Sequence, residues 1–97
     1  MSRFTLIEWP ERGGHKLFWD EDKPGRIAIA DLSGGQPDTT DDGVLYVDET
    51  EEAEFLFCNT YGEPRWRLPL VTPSGRKVST VTSIQTVQRI KRIIAYR

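Results

Sequence analysis

The sequence predicts an α+β domain: an antiparallel sheet of about six or seven short strands, with one C-terminal helix packed on a face. Three observations lead to this prediction. Short alternating segments recur through residues 3–82, turn-forming residues separate them, and residues 83–97 alone show helical periodicity. A small, partly open β-barrel with the same helix is the alternative. At 97 residues, the chain is expected to form one domain spanning residues 1–97.

The first three strands are predicted to form two successive hairpins. Alternating side chains that include aromatic and β-branched residues, which strands favour, mark these segments. Gly13 and Gly14 permit the first turn because they tolerate positive φ, and Pro24 and Gly25 indicate the second. Strands joined by tight turns should pair antiparallel. The predicted strands cover residues 3–9, 15–19 and 26–31.

Four more short strands are predicted after residues 32–43, a stretch too rich in Gly, Asp, Ser and Thr to form a packed element. An acidic connection at residues 48–53, with a helical turn, is expected between two of them. Phe55 and Phe57 should share one face of their strand. Pro69 should place its strand at an edge or a bulge, because proline cannot donate to the ladder. The predicted strands cover residues 44–47, 54–58, 65–71 and 77–82.

The C-terminal helix is predicted from the spacing of apolar residues in residues 83–97. They recur at intervals of three or four, which places them in one stripe along a helix. Ser83 is the expected N-cap, since its hydroxyl can accept a hydrogen bond from a backbone N–H of the first turn. So wide a stripe needs a wide sheet surface to pack against, and Ile90, at the centre of the stripe, should be buried. Its members are Ile84, Val87, Ile90, Ile93 and Ile94.

Charge is strongly segregated along the chain, although the net charge is only −2. Residues 1–64 contain all fifteen acids and five of the thirteen basic residues, which gives a net charge of −10. Residues 65–97 contain the other eight basic residues and no acid, which gives +8. Such a division is informative about binding partners rather than about fold.

The acidic part is expected to be the functional surface of a small non-catalytic protein-interaction module. Residues 27–64 contain ten acids and no lysine or arginine, more than solubility alone requires. Such a surface suits a basic protein partner, as in an inhibitor that imitates nucleic-acid phosphates. Phage-encoded inhibitors of bacterial defence systems are similar in size and acidity. The expected partner-binding residues are Asp38, Asp41, Asp42, Asp48, Glu49, Glu51, Glu52 and Glu54.

Direct binding of nucleic acid by the basic C-terminal third is the alternative function. On a strand, Arg65 and Arg67 would share a face and Trp66 would point to the other, so Trp66 is expected in the core. The plainer interpretation is that these cations pair with the protein's own acids across the fold. The residues of this alternative are Arg65, Arg67, Arg76, Lys77, Arg89, Lys91 and Arg92.

Enzymatic activity is not expected, because the sequence shows no catalytic motif. Cys58 and His15 are the only residues of their types, too few for a closed zinc site, and Cys58 is expected to be a buried structural thiol. No cofactor or metal is therefore predicted. One cysteine, an early Glu8 that argues against a signal peptide, and no apolar run of about 20 residues favour a soluble cytoplasmic protein without membrane contact.

Overall fold

The computed structural model describes residues 3–9, 14–31 and 44–97, which form seven strands and one helix. Every strand boundary lies within one residue of the sequence prediction, because the alternating segments and the turn residues are both local signals. The elements are β1 (Phe4–Glu8), β2 (His15–Asp20), β3 (Ile27–Asp31), β4 (Leu45–Val47), β5 (Glu54–Cys58), β6 (Pro64–Val71), β7 (Lys77–Ser83) and α1 (Ile84–Tyr96).

The strands form one antiparallel sheet in the order β1-β2-β3-β4-β6-β5, and β7 pairs with the other side of β6. β4 and β5 pair with successive parts of the same side of β6, so this side is shared between two strands. The sheet is not closed into a barrel. The predicted α+β fold with a C-terminal helix is therefore confirmed, and the barrel alternative is wrong.

Pro69 lies inside β6, where an edge strand or a bulge was expected. That expectation is wrong, because β6 has neighbours on both sides and pairs with β7 continuously from Arg65 to Val71. The Pro69 carbonyl accepts a hydrogen bond from the Asp48 backbone N–H at 3.1 Å. The N and the carbonyl of a residue in an antiparallel strand point to the same side. The missing N–H of Pro69 therefore faces away from β7, and no bond between β6 and β7 is lost.

The helix packs across β6 and β7 with its apolar stripe toward the sheet. Val87 and Ile90 are buried, which confirms the predicted orientation of the stripe. Ser83 is the N-cap, and its Oγ accepts a hydrogen bond from the Thr86 backbone N–H at 3.3 Å. The core on this side of the sheet consists of Leu17, Ile27, Ile29, Val47, Leu68, Leu70 and Ile90.

The opposite face of the sheet has a second buried cluster, confined to the half that contains β1 to β4. Leu17 and Phe18 are neighbours on β2, and both are buried because each face of this half has its own core. The second cluster consists of Phe4, Phe18, Ala28, Val44 and Tyr46. On β5 and in the turn between β5 and β6, by contrast, large apolar side chains are exposed, so a partner could make apolar contacts in this half.

Candidate functional site

A cleft of about 320 Å³ lies between α1 and residues 48–53. Because β4 and β5 occupy the same side of β6, residues 48–53 must arch away from the sheet to connect them. We call this segment the acidic arch. The helix crosses the same part of β6, and the arch and the helix enclose the cleft between them. Its apolar lining consists of Val47, Ala53, Leu68, Val87, Ile90 and Ile94.

The rim of the cleft is predominantly acidic. Glu49, Glu51 and Glu52 line it from the arch, and Lys91 lines it from the helix. Lys91 Nζ lies 3.9 Å from Glu52 Oε2, and both side chains are largely exposed. Glu49 is bound by Arg97, whose Nη1 donates to Glu49 Oε2 at 2.8 Å. Glu51 is exposed on the rim, and its charge helps to raise the pKa of Lys77.

Asp48 anchors the arch and is not part of an exposed binding surface. Its carboxylate is buried, and it accepts hydrogen bonds from Lys77 Nζ at 2.5 Å and from Thr50 Oγ1 at 2.6 Å. The Lys77 ammonium and the Thr50 donors hold the pKa of the Asp48 carboxyl well below its usual range, and Asp48 raises the pKa of Lys77. The expected helical turn in the arch is absent: residues 48–53 form turns and bends instead.

Acids and bases that are separated along the sequence lie next to each other in the fold. Arg89 Nε is 3.1 Å from Glu8 Oε2, and Arg92 Nη2 is 3.7 Å from Glu8 Oε1. Arg67 Nη1 is 4.0 Å from Glu54 Oε1. Together with the pairs of Asp48, Glu49 and Glu52, these contacts show that much of the segregated charge is neutralised across the fold.

The residues of the two predicted binding sets are only partly brought together. Asp38, Asp41 and Asp42 lie outside the described residues. Arg65, Arg67 and Lys77 lie on the sheet face opposite α1; Lys77 is the cross-strand partner of Val71, which packs against the second cluster on that face. The nucleic-acid set is nevertheless divided between separate surfaces. The remaining cations lie in the β6–β7 turn and on the helix: Arg76, Arg89, Lys91 and Arg92.

The strand β5 exposes a row of large apolar side chains that the sequence analysis did not identify as a binding feature. Phe55, Leu56 and Phe57 are 53%, 41% and 50% exposed. Three consecutive apolar residues cannot all face one core from a strand, and this local signal could have indicated a second, exposed apolar surface.

A bulge at Leu56 separates Phe55 from Phe57. Phe55 is paired with Trp66 and Phe57 with Arg65. A step of two residues along β5 therefore corresponds to a step of one residue along β6. Cross-strand partners share a face, and adjacent residues of β6 point to opposite faces. The expectation that both phenylalanines share a face is therefore wrong. Phe55 meets the ring of Trp66 at 5.8 Å on the helix side, where it extends the apolar surface that begins at Ala53.

Cys58 is exposed at the end of β5, so the expectation of a buried thiol is wrong. An edge strand that neither core covers leaves this side chain in solvent. His15 is buried, and its Nδ1 lies 2.8 Å from Thr82 Oγ1 at the end of β7. Within residues 3–9, 14–31 and 44–97, no group of three or more His, Cys, Asp or Glu side chains is arranged to hold a metal ion.

A buried ionic cluster fixes the first hairpin against β4. Asp20 accepts hydrogen bonds from Arg3 Nη2 at 2.7 Å and from Tyr46 Oη at 2.5 Å, and Arg3 Nη2 also donates to Tyr46 Oη at 2.9 Å. The Arg3 hydrogen bonds lower the pKa of Asp20 to about 2, against the opposing effect of burial. Burial, together with the hydrogen bond to Asp20, raises the pKa of Tyr46 to about 12. These groups satisfy one another, so the cluster belongs to the scaffold.

Comparisons with protein-family models, with curated proteins and with solved structures found no significant match to this chain. The functional argument therefore depends on the geometry described above. In the part of the chain that the structure describes, no helix is both long enough and apolar enough to cross a membrane.

Proposed function

We propose that this protein is a non-catalytic interaction module that binds a basic segment of a partner protein in the cleft between α1 and the acidic arch. The observation that carries the proposal is the combination of an apolar floor with a rim of three glutamates. An apolar side chain of the partner would fill the cleft, and a lysine or arginine beside it would contact Glu51 and Glu52. Such binding would inhibit a partner whose basic segment is needed elsewhere, for example to contact nucleic acid.

The volume of the cleft favours a side chain over a small-molecule ligand. Pockets for drug-sized ligands run from about 300 to 1,000 Å³, so a cleft of about 320 Å³ lies at the lower limit. One anchor residue in a desolvated pocket is a common way for a protein interface to gain affinity. Phe55, exposed on the same side of the sheet, enlarges the apolar contact beyond the cleft.

The electrostatics of the rim favour a cationic partner. Among the residues that the structure describes, Lys91 is the one basic residue that lines the cleft, and its contact with Glu52 is long and exposed. Exposed pairs of this kind contribute about 0–1 kcal/mol, so a partner's cation can replace Lys91 at little cost. Lys91 therefore competes with the partner's cation for contact with Glu52. Removing it should strengthen binding, which is the opposite of what a nucleic-acid site on the helix would show.

The test is a pair of charge reversals of equal size. The partner is first captured and identified with the wild-type protein as bait, and its affinity is then measured by calorimetry. Replacing Glu51 and Glu52 with lysine should lower the affinity by about tenfold or more, since each rim contact is worth roughly 1 kcal/mol in water. The control variant reverses Glu21 and Asp22, two exposed acids of the β2–β3 turn. Because Asp22 lies 3.4 Å from Arg3, the melting temperature of this variant is measured first, and the folded control should bind like the wild type.

Two further results complete the test. Lys91→Ala should raise the affinity, and binding should weaken as salt increases, because screening limits surface electrostatics to about 8–10 Å. An unchanged affinity in the Glu51/Glu52 variant would contradict the proposal.

Nucleic-acid binding remains the second candidate, and one observation favours it: the exposed ring of Phe57 lies beside Arg65 on the sheet face opposite α1. Aromatic rings next to arginines can stack on the bases of single strands. Arg65→Glu with Arg67→Glu should abolish retention on a single-stranded DNA column if this candidate is correct, and the Glu51/Glu52 variant should then bind DNA more tightly. An absence of retention for the wild type at low salt would exclude it.

A further inference from the structure

Three strands have only one neighbour among the described residues, and only one of them is regular. These strands are β1, β5 and β7. The register of β1 shifts between Leu6 and Glu8, and that of β5 shifts between Phe55 and Phe57. Bulges of this kind protect edge strands, because they interrupt the spacing that an added strand would need. The strand β7 pairs with β6 over its whole length without a shift, so its free edge lacks this protection.

The backbone groups of β7 that face outward can be identified from two hydrogen bonds of β6. The Pro69 carbonyl accepts from Asp48 on the β4 side, so the backbone groups of Pro69 point away from β7. The Thr72 N–H donates to the Arg76 carbonyl at 3.0 Å, so the backbone groups of Thr72 point toward β7. Orientation alternates along an antiparallel strand. Because Ser79 is the partner of Pro69, the N–H and C=O groups that face outward belong to Lys77, Ser79 and Val81.

The side chains along this edge leave it accessible. Ser79 and Val81 are exposed, and Val81 is 42% exposed despite being apolar. The sequence of β7, KVSTVTS, is rich in β-branched residues and contains no proline. A regular strand with outward N–H and C=O groups at three alternate positions is the geometry that accepts an added strand.

We propose that the free edge of β7 binds an extended segment of a partner protein as an additional β-strand, and that this segment alternates acidic and apolar residues. The acidic residues would lie on the face of β7 that carries Ser79 and Val81, because Arg67 is the cross-strand neighbour of Val81 and shares this face, and Arg76 is exposed in the adjoining turn. Residues 65–97 contain no acid that would repel them. The apolar residues would lie on the other face, beside Val78.

The same charges argue against the other occupants. A second copy paired through its own β7 would bring the basic edges of both chains together, and like charges across strands are unfavourable. A nucleic acid would contact the cations but would leave the alternating backbone N–H and C=O groups of Ser79 and Val81 without strand partners.

The outward N–H groups of Ser79 and Val81 lie across β6 from the acidic arch. The two regions meet at the Lys77 side chain, which binds Asp48 and Thr50 of the arch rather than Glu51 or Glu52. The two proposals can therefore fail separately. The lysine variant of Glu51 and Glu52 should keep full binding at the β7 edge.

The decisive variant is Ser79→Pro. It removes an outward N–H and adds a ring at the edge, but it breaks no bond to β6, since proline is tolerated on edge strands whose N–H faces solvent. The matched control is Ser79→Ala, which changes the side chain and keeps the backbone donor. Circular dichroism and the melting temperature establish that both variants are folded before binding is measured.

The probe is a phage-displayed library of random twelve-residue peptides, selected on the wild-type protein. The enriched peptides should alternate acidic and apolar residues. A synthetic copy should bind the Ser79→Ala variant like the wild type and the Ser79→Pro variant about tenfold more weakly, as expected for the loss of a backbone hydrogen bond and a steric block. The peptide should slow the hydrogen exchange of the Ser79 and Val81 backbone amides. The amides of Val78 and Thr80 point toward β6, so their exchange should already be slow in the free protein.

Four results would overturn the proposal. The first two are that no peptide is enriched, or that the peptide binds the Ser79→Pro variant as tightly as the wild type. The third is that the peptide slows amide exchange in the acidic arch instead of in β7. The fourth is that a single-stranded oligonucleotide, but no peptide, slows the exchange of the Ser79 and Val81 amides. A dimer in sedimentation that Ser79→Pro dissociates would overturn it as well, because it would assign the edge to a second copy of the chain.

Discussion

Replacing Asp20 with asparagine should make the stability of the protein less sensitive to pH between about 4 and 2. The Asp20 carboxylate is buried and is held by Arg3 at 2.7 and 2.9 Å, by Tyr46 at 2.5 Å and by the Asp22 backbone N–H at 2.9 Å. These contacts, chiefly those of Arg3, favour the ionised form and lower the pKa of Asp20 from 3.8 to about 2.

The sign and the size of the effect follow from this pKa. A carboxyl group with a lower pKa in the folded state stabilises the fold above its unfolded-state pKa and loses that contribution as the pH falls. The stabilisation by Asp20 is therefore complete above about pH 4 and is lost toward about pH 2. At 1.36 kcal/mol per pKa unit, the difference between 3.8 and about 2 corresponds to about 2 kcal/mol of unfolding free energy.

The measurement is the unfolding free energy from urea titrations at a series of pH values, for the wild type and for Asp20→Asn. The wild type should lose about 2 kcal/mol more than the variant as the pH falls from 4 to 2. Tyr46→Phe removes one of the hydrogen bonds to the carboxylate, so it should raise the pKa of Asp20 and shrink this difference. Parallel pH profiles for the wild type and Asp20→Asn would refute the reasoning.

Two further predictions concern the helix and the free thiol. Ile90→Ala should destabilise the fold by about 2–5 kcal/mol, because Ile90 is buried in the core beneath α1, whereas Tyr96→Ala on the exposed end of the helix should change little. Thermal unfolding checks this, and an unchanged melting temperature for Ile90→Ala would mean that the stripe does not face the core. Cys58, exposed on β5, should react with a thiol reagent in native buffer nearly as fast as in denaturant, and slow native labelling would contradict its exposure.

The elements of the fold were predictable because they depend on local signals. Alternation defined the strands to within one residue, and the hydroxyl of Ser83 at the start of the apolar stripe marked the beginning of the helix. The orientation of Ile90 toward the core followed from the helical period alone. The candidate cleft was not predictable, since its floor combines residues of β4, β6 and α1 that no local pattern connects.

The sequence by itself determined the strands, the helix and the uneven distribution of charge along the chain. Only the tertiary structure decided what that charge does, because an ion pair depends on which strands are neighbours and not on distance along the chain. Lys77 therefore neutralises Asp48 from 29 residues away, and Glu51 is left as an exposed acid on the arch. The tertiary structure also decided which edge is open: a one-residue bulge interrupts β5, whereas β7, joined to β6 by a tight turn, keeps its register along its whole length.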